Sequence, residues 1–158
     1  MGVVTSEIEV AAEPSAVFRL AQRVENYPAY MPDVKSVKVL ERRDDGYARV
    51  AWIARAHVAS IDKDIKWVEE QWWNPDTLSA KYQLLEGDYK HYGGEWTFTA
   101  SAVGTKIRQR IDFDLGLPLV GALIGKLLDK IMQDNLDSML KAIKERAESA
   151  KGCTSTAK

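Results

Sequence analysis

Cysteine is almost missing from this chain. Cys153 is the only one in 158 residues, so no intramolecular disulfide can form, and a reducing, cytoplasmic setting is the simplest expectation. Histidine is nearly as scarce. His57 and His91 lack metal-site spacing and have no cysteine or acidic cluster beside them, so no metal or cofactor is expected. A Gly-x-Ser-x-Gly elbow, a phosphate loop and a Gly-rich dinucleotide fingerprint are also absent, which removes three large enzyme classes. No apolar run approaches the length of a membrane span, and no signal peptide is read. Met1-Gly2-Val3-Val4-Thr5-Ser6 fits the short myristoylation pattern, but Val3 onward reads as a strand. Nor is there an excess of one charge. With 22 Lys and Arg against 23 Asp and Glu, the net charge of −1 gives no pull toward nucleic acid, and none is expected as a partner.

What is present is a long helix signal near the C-terminus. From Pro118 to about Ala147 there is no further proline and, after Gly125, no glycine. Apolar residues recur at helical spacing: Val120, Ile124, Leu127, Leu128 and Ile131, then Met132, Leu136, Met139, Leu140, Ile143 and Ala147. Pro118 suits a first turn, and Lys141, Lys144 and Arg146 suit the C-terminal end of the helix dipole. Such a helix is roughly 45 Å long, so other elements must wrap around it. On a helical wheel the second apolar set is turned roughly 140° from the first. Extending the first stripe meets Asn135, Ser138 and Ala142. Two compatible readings follow: a curved sheet touches different faces along the helix, and that small polar face looks into a space side chains do not fill.

Earlier in the chain the pattern is mostly of period two. Val4, Ser6, Ile8 and Val10 alternate with Thr5, Glu7 and Glu9, predicting a strand that ends before Pro14. Ser15 to Val24 turns helical, and Tyr27-Pro28 and Met31-Pro32 break it, leaving room for one short helical turn between them. Strands are predicted over Val34–Arg42, Tyr47–Ala56, Ser60–Trp73, Leu78–Leu85, Tyr92–Ala100 and Thr105–Leu115. Asp44-Asp45-Gly46 and Asn74-Pro75-Asp76 mark tight turns. One α+β domain follows over 1–148, with 149–158 expected to be a disordered tail. A seven-stranded curved antiparallel sheet wraps the long C-terminal helix, and two short helices follow strand 1. A single helix need not fill so curved a sheet, so a cavity is expected.

Three stretches carry a resemblance. Val17-Phe18-Arg19-Leu20 with Val24-Glu25-Asn26-Tyr27-Pro28-Ala29-Tyr30-Met31-Pro32 is one. Leu85-Glu86-Gly87-Asp88-Tyr89-Lys90-His91-Tyr92-Gly93-Gly94-Glu95-Trp96-Thr97-Phe98 is the second. Gly104-Thr105-Lys106-Ile107 with Asp112-Phe113-Asp114-Leu115 and the long helix is the third. Together, over residues 3 to about 147, they resemble the polyketide cyclase/dehydrase and coenzyme Q-binding family. The resemblance implies the START-type (SRPBCC) helix-grip fold, whose members hold lipids, quinones, polyketides or hormones between sheet and helix. The fold alone does not decide among activities.

Strand parity supplies a pocket from the residues themselves. Tyr92, Trp96 and Phe98 share one face; Ile107, Ile111 and Phe113 share another, and Gln109 falls among them, where an amide needs a partner or a ligand. Val50, Trp52 and Ala54 form an inner face, with Arg49 and Arg55 outward; turned inward, those arginines would argue for an anionic ligand. Ile61, Ile65 and Trp67 point one way, and the same parity carries Glu69 and Gln71 inward unless a bulge intervenes. Because burying a carboxylate is costly, Glu69 is expected in water, at a strand end or bulge. His91 is expected outward. The candidate ligand-binding residues are Trp52, Trp67, Tyr82, Tyr92, Trp96, Phe98, Gln109, Ile111, Phe113, Ile131 and Asn135. Aromatic and aliphatic walls with a few polar groups suit an apolar, ring-containing ligand. The leading expectation is a carrier or chaperone of a hydrophobic small molecule (quinone, lipid or polyketide-like). A polyketide cyclase or dehydratase is the alternative, with no catalytic residue assignable. A protein-binding module is the third, since a related bacterial branch resembles a toxin that interferes with ribosome assembly. Transient membrane contact through the apolar 115–125 segment is a further expectation.

Overall fold

The computed structural model describes residues 2–58, 61–116 and 122–156. Its elements are β1 (Gly2–Val10), α1 (Pro14–Gln22), a 3-10 helix (Val24–Ala29), β2 (Val34–Arg42), β3 (Tyr47–Val58), β4 (Ile61–Asn74), β5 (Ser79–Gly87), β6 (His91–Ala100), β7 (Thr105–Asp114) and α2 (Ala122–Thr156). The strands form one antiparallel sheet in the order β1-β7-β6-β5-β4-β3-β2. β1 and β2 follow one another in the chain yet stand at opposite edges, bridged by α1 and the 3-10 helix. This is the helix-grip, START-like fold, and every strand lies within two residues of its expected bounds.

Curvature comes from irregular pairing. β2 carries an extra residue against β3 between Val34 and Ser36, and again between Val39 and Glu41. β5 carries one against β4, where Val68 pairs with Glu86 and Glu69 with Leu84. Such bulges bend the bulged strand and sharpen the local twist. The β2–β3 turn needs Gly46, whose φ of 95° lies where side chains are disfavoured.

α1 starts on Pro14, where the missing N–H costs nothing, and buries Val17, Phe18 and Ala21. The 3-10 helix lies earlier than expected: it includes Tyr27-Pro28 instead of following that break. Tyr27 is fully buried and its hydroxyl donates to the Ala21 carbonyl, which draws this turn into the core and fixes its place.

α2 lies along the β1 edge and is latched there by polar contacts. Gln133 Nε2 donates to the Thr5 carbonyl (2.9 Å), Lys144 Nζ to the Glu9 carbonyl (2.9 Å), and the Ala11 amide to Glu148 Oε2 (2.9 Å). Of the second apolar set, Met132, Leu136, Leu140, Ile143 and Ala147 are buried, whereas Leu127 of the first is 42% exposed. Among the described side chains the stripe therefore turns where the helix passes from the partly uncovered Leu127 to the buried positions between Met132 and Ala147. The helix runs to Thr156, past the end expected near Ala147. The expected start at Pro118, with Val120, falls outside the described residues, as does the middle of the 115–125 segment. No helix among the described residues is long and apolar enough to cross a membrane.

Candidate functional site

Between the inner face of the sheet and the middle of α2 lies a cavity of about 90 Å³. β3 contributes Trp52 and Ala54, and β4 contributes Trp67, Glu69, Gln71 and Trp73. Tyr82, Tyr92, Trp96, Gln109 and Ile111 come from β5, β6 and β7. α2 covers them with Met132, Asn135, Leu136, Ser138 and Met139. The partly exposed lining residues, Pro32, Asp33, Ala54, Asn135, Ser138 and Met139, mark the mouth, between α2 and the segment entering β2.

Eight of the eleven candidate residues therefore meet at this cavity: Trp52, Trp67, Tyr82, Tyr92, Trp96, Gln109, Ile111 and Asn135. Phe98, Phe113 and Ile131 do not line it. Phe98 is covered edge-on by Phe18 of α1 at 5.5 Å. Phe113 lies over Gly2, where a Cβ would stand 2.5 Å from its ring. Ile131 is half-buried, one position away from Met132, which turns inward in its place. Asn135 and Ser138 face the cavity, whereas Ala142 packs against the core. Arg49 and Arg55 are exposed, as their parity predicts. The His57 side chain lies outside the described residues.

Glu69 corrects the expectation of a solvated carboxylate. It is 3% exposed and points into the cavity. The nearby bulge sits in β5, so the alternation of β4 is unbroken and Trp67, Glu69, Gln71 and Trp73 share the inner face. These four satisfy one another along a single strand. Trp67 Nε1 donates to Glu69 Oε1 (2.8 Å), Gln71 Nε2 to Glu69 Oε2 (3.0 Å), and Trp73 Nε1 to Gln71 Oε1 (2.8 Å). Burial pushes the Glu69 carboxyl up to about 7, against the pull of the two donated bonds. The signal was present as Trp-x-Glu-x-Gln-x-Trp: donor, acceptor, both, donor at period two. Tyr89, in the β5–β6 turn, offered no parity and was missed. Its ring lies 4.7 Å from that of Tyr92, and its hydroxyl contacts Met132 Sδ (3.8 Å).

The far wall is built around a missing side chain. Gly94 occupies the inward position of β6 between Tyr92 and Trp96, and pairs with Tyr82. A Cβ there would stand 2.2 Å from the Arg110 carbonyl oxygen and 2.5 Å from Tyr82 Oη. The Tyr82 phenol can therefore cross β6 and accept a bond from Gln109 Nε2 (2.7 Å). Burial raises the Tyr27, Tyr82, Tyr89 and Tyr92 hydroxyls well above their ordinary range, so all four stay neutral. Trp52 and Trp67 stack at 5.7 Å with ring planes 3° apart. Among the described residues no lysine, arginine or histidine lines the cavity, and no group of three or more His, Cys, Asp and Glu could hold a metal.

The model of the polyketide cyclase/dehydrase and lipid transport family matches residues 10–140. The chain belongs to that family. TTHA0849 from Thermus thermophilus is 32% identical, with a TM-score of 0.85 over 94% of this chain and 99% of that one. The Zhui aromatase/cyclase from a Streptomyces species is 22% identical, with a TM-score of 0.81 over 93% of each chain. A START superfamily protein from Mycobacterium smegmatis is 19% identical, with a TM-score of 0.79 over 94% of this chain and 98% of that one. The last two show the shared fold. In this member of the polyketide cyclase/dehydrase and lipid transport family, Glu69 brings a carboxyl to the cavity wall, where it accepts bonds from one indole and one amide.

Proposed function

We propose that this protein binds an apolar, ring-containing small molecule (a quinone, lipid or polyketide-like compound) between sheet and α2, as a carrier or chaperone. The observation that supports it is the aromatic-walled cavity itself, with Asn135, Ser138 and Met139 at a mouth on one side of α2. Aromatic walls with few polar groups are the usual lining of a small-molecule site. The closed volume of about 90 Å³ is smaller than a typical ligand site, so binding requires the mouth to widen. Met132 and Met139, unbranched and adaptable, are suited to that movement. Native mass spectrometry of the purified protein, with organic extraction of whatever co-purifies, tests the reading. A bound organic molecule that is lost in Asn135→Phe or Ser138→Phe is the expected result. An empty protein that also takes up no added quinone, lipid or polyketide overturns it.

A polyketide cyclase or dehydratase is the second reading, favoured by Glu69. A buried carboxyl at the cavity wall, pushed up to about 7 by desolvation, is poised to give or take a proton. Turnover of a linear polyketide that is abolished in Glu69→Gln, with binding retained, would establish it.

A further inference from the structure

Two residues that line the cavity each carry a buried polar atom with no hydrogen-bond partner among the described residues: the indole nitrogen of Trp52 and Oε1 of Gln109. Their side chains are 6% and 3% exposed, so bulk water does not serve them. They differ in kind, because an indole N–H only donates and an amide oxygen only accepts. They also differ in place. Trp52 is on β3 and Gln109 on β7, four strands away along a sheet whose curl brings them to face the same space. Rings fill the interval, with Trp67 stacked on Trp52 and Tyr92 5.7 Å from Tyr82. Glu69 sits between them on β4, and among the described residues the cavity lining offers no basic side chain to balance a second negative charge.

Resting on the binding reading above, we infer that the ligand is an uncharged ring compound with a hydrogen-bond acceptor that meets Trp52 Nε1 and a hydroxyl that donates to Gln109 Oε1, and that Glu69 excludes anionic analogues. A hydroxylated cyclic ketone has this pattern. A fatty acid or other free carboxylate does not: it would lose its water beside an acidic side chain with no cation to replace it. Glu69, already holding bonds from Trp67 and Gln71 on separate oxygens, acts here as a specificity-determining group.

Four naphthalene probes separate the parts of this assignment by calorimetry at pH 8, where Glu69, raised to about 7, is mostly ionised: acetylnaphthol with its substituents on opposite rings, plain naphthol, acetylnaphthalene and hydroxynaphthoate. Wild-type protein is expected to bind acetylnaphthol at least about tenfold more tightly than naphthol or acetylnaphthalene, the worth of one buried hydrogen bond. It is expected to bind hydroxynaphthoate at least about a hundredfold more weakly. Trp52→Phe should erase the preference over naphthol, and Gln109→Leu the preference over acetylnaphthalene. Glu69→Gln, isosteric and relieved of a buried charge, should gain about tenfold or more for hydroxynaphthoate. Equal affinity of wild type for hydroxynaphthoate and acetylnaphthol overturns the charge selection. Equal affinity for acetylnaphthol, naphthol and acetylnaphthalene overturns the donor–acceptor assignment. If no probe binds while native mass spectrometry still shows a captured molecule, the inference falls and the binding reading stands. If neither is seen, both fall.

Discussion

The inner faces of β4 and β7 both carry amides and other polar groups into an apolar interior, and they satisfy them differently. On β4, Glu69 and Gln71 are flanked by Trp67 and Trp73, and each carboxylate and amide oxygen accepts a bond from a neighbour two residues away. On β7, Gln109 gives its N–H to Tyr82 across β6 and leaves its oxygen unmet among the described residues. A polar group closed within its own strand contributes to the fold. One left half-met at a cavity wall keeps an acceptor that its own fold does not use among the described residues. Burial alone does not separate the two, since Glu69, Gln71 and Gln109 are all 3% exposed; the partner count does.

The comparison is broken most severely at Gln71. Gln71→Leu orphans Glu69 Oε2 and Trp73 Nε1 together, and each buried group left unmet costs about 1–3 kcal/mol. A loss of about 4 kcal/mol is expected from urea unfolding at neutral pH.

The next effect is a pH dependence. The Glu69 carboxyl is raised in the folded protein from an ordinary 4.5 to about 7, so between those values the folded state binds more protons than the unfolded one. Stability therefore falls as pH rises from 4.5 through 7 and is level above, a step of about 3 kcal/mol. Denaturant midpoints across that range should show the step in wild type and lose it in Glu69→Gln. A wild-type profile that matches the variant's would place the carboxyl in contact with water.

Gly94→Ala is expected to cost about 2 kcal/mol, because the new methyl meets the Arg110 carbonyl and displaces the Tyr82 phenol from Gln109. Smallest is Gln109→Leu. It removes an amide whose oxygen is already unmet, so thermal unfolding should move by no more than about 1 kcal/mol in either direction. A large loss there would put β7 in the same class as β4.

Much of the architecture was legible because local chemistry and global packing agreed. Val34–Arg42 has the bounds its alternation predicts. Asn74 closes the next turn with its own side chain, accepting from the amides of Asp76 (3.0 Å) and Thr77 (3.3 Å). The site was legible as a face but not as a position along that face. Parity put Phe98 and Phe113 inward, as they are, but only the packing of Phe18 and the close approach of Gly2 exclude them from the cavity. Glu69 was misplaced because two rules conflicted. Alternation sent it inward, the cost of burying charge sent it out, and the deciding partners lay two residues away on the same strand.

The placing of β1 has a consequence for how the chain folds. β2 to β6 pair with their sequence neighbours and can assemble as successive hairpins. β1 cannot: it pairs only with β7, from Gly2 against Phe113 to Val10 against Thr105, and is latched by Gln133 and Lys144 of α2. β1 therefore waits for β7, far later in the chain, before it finds a partner. Contacts this distant in sequence slow folding, and until α2 arrives, the Val4 and Val10 face of β1 is the apolar edge most in need of protection.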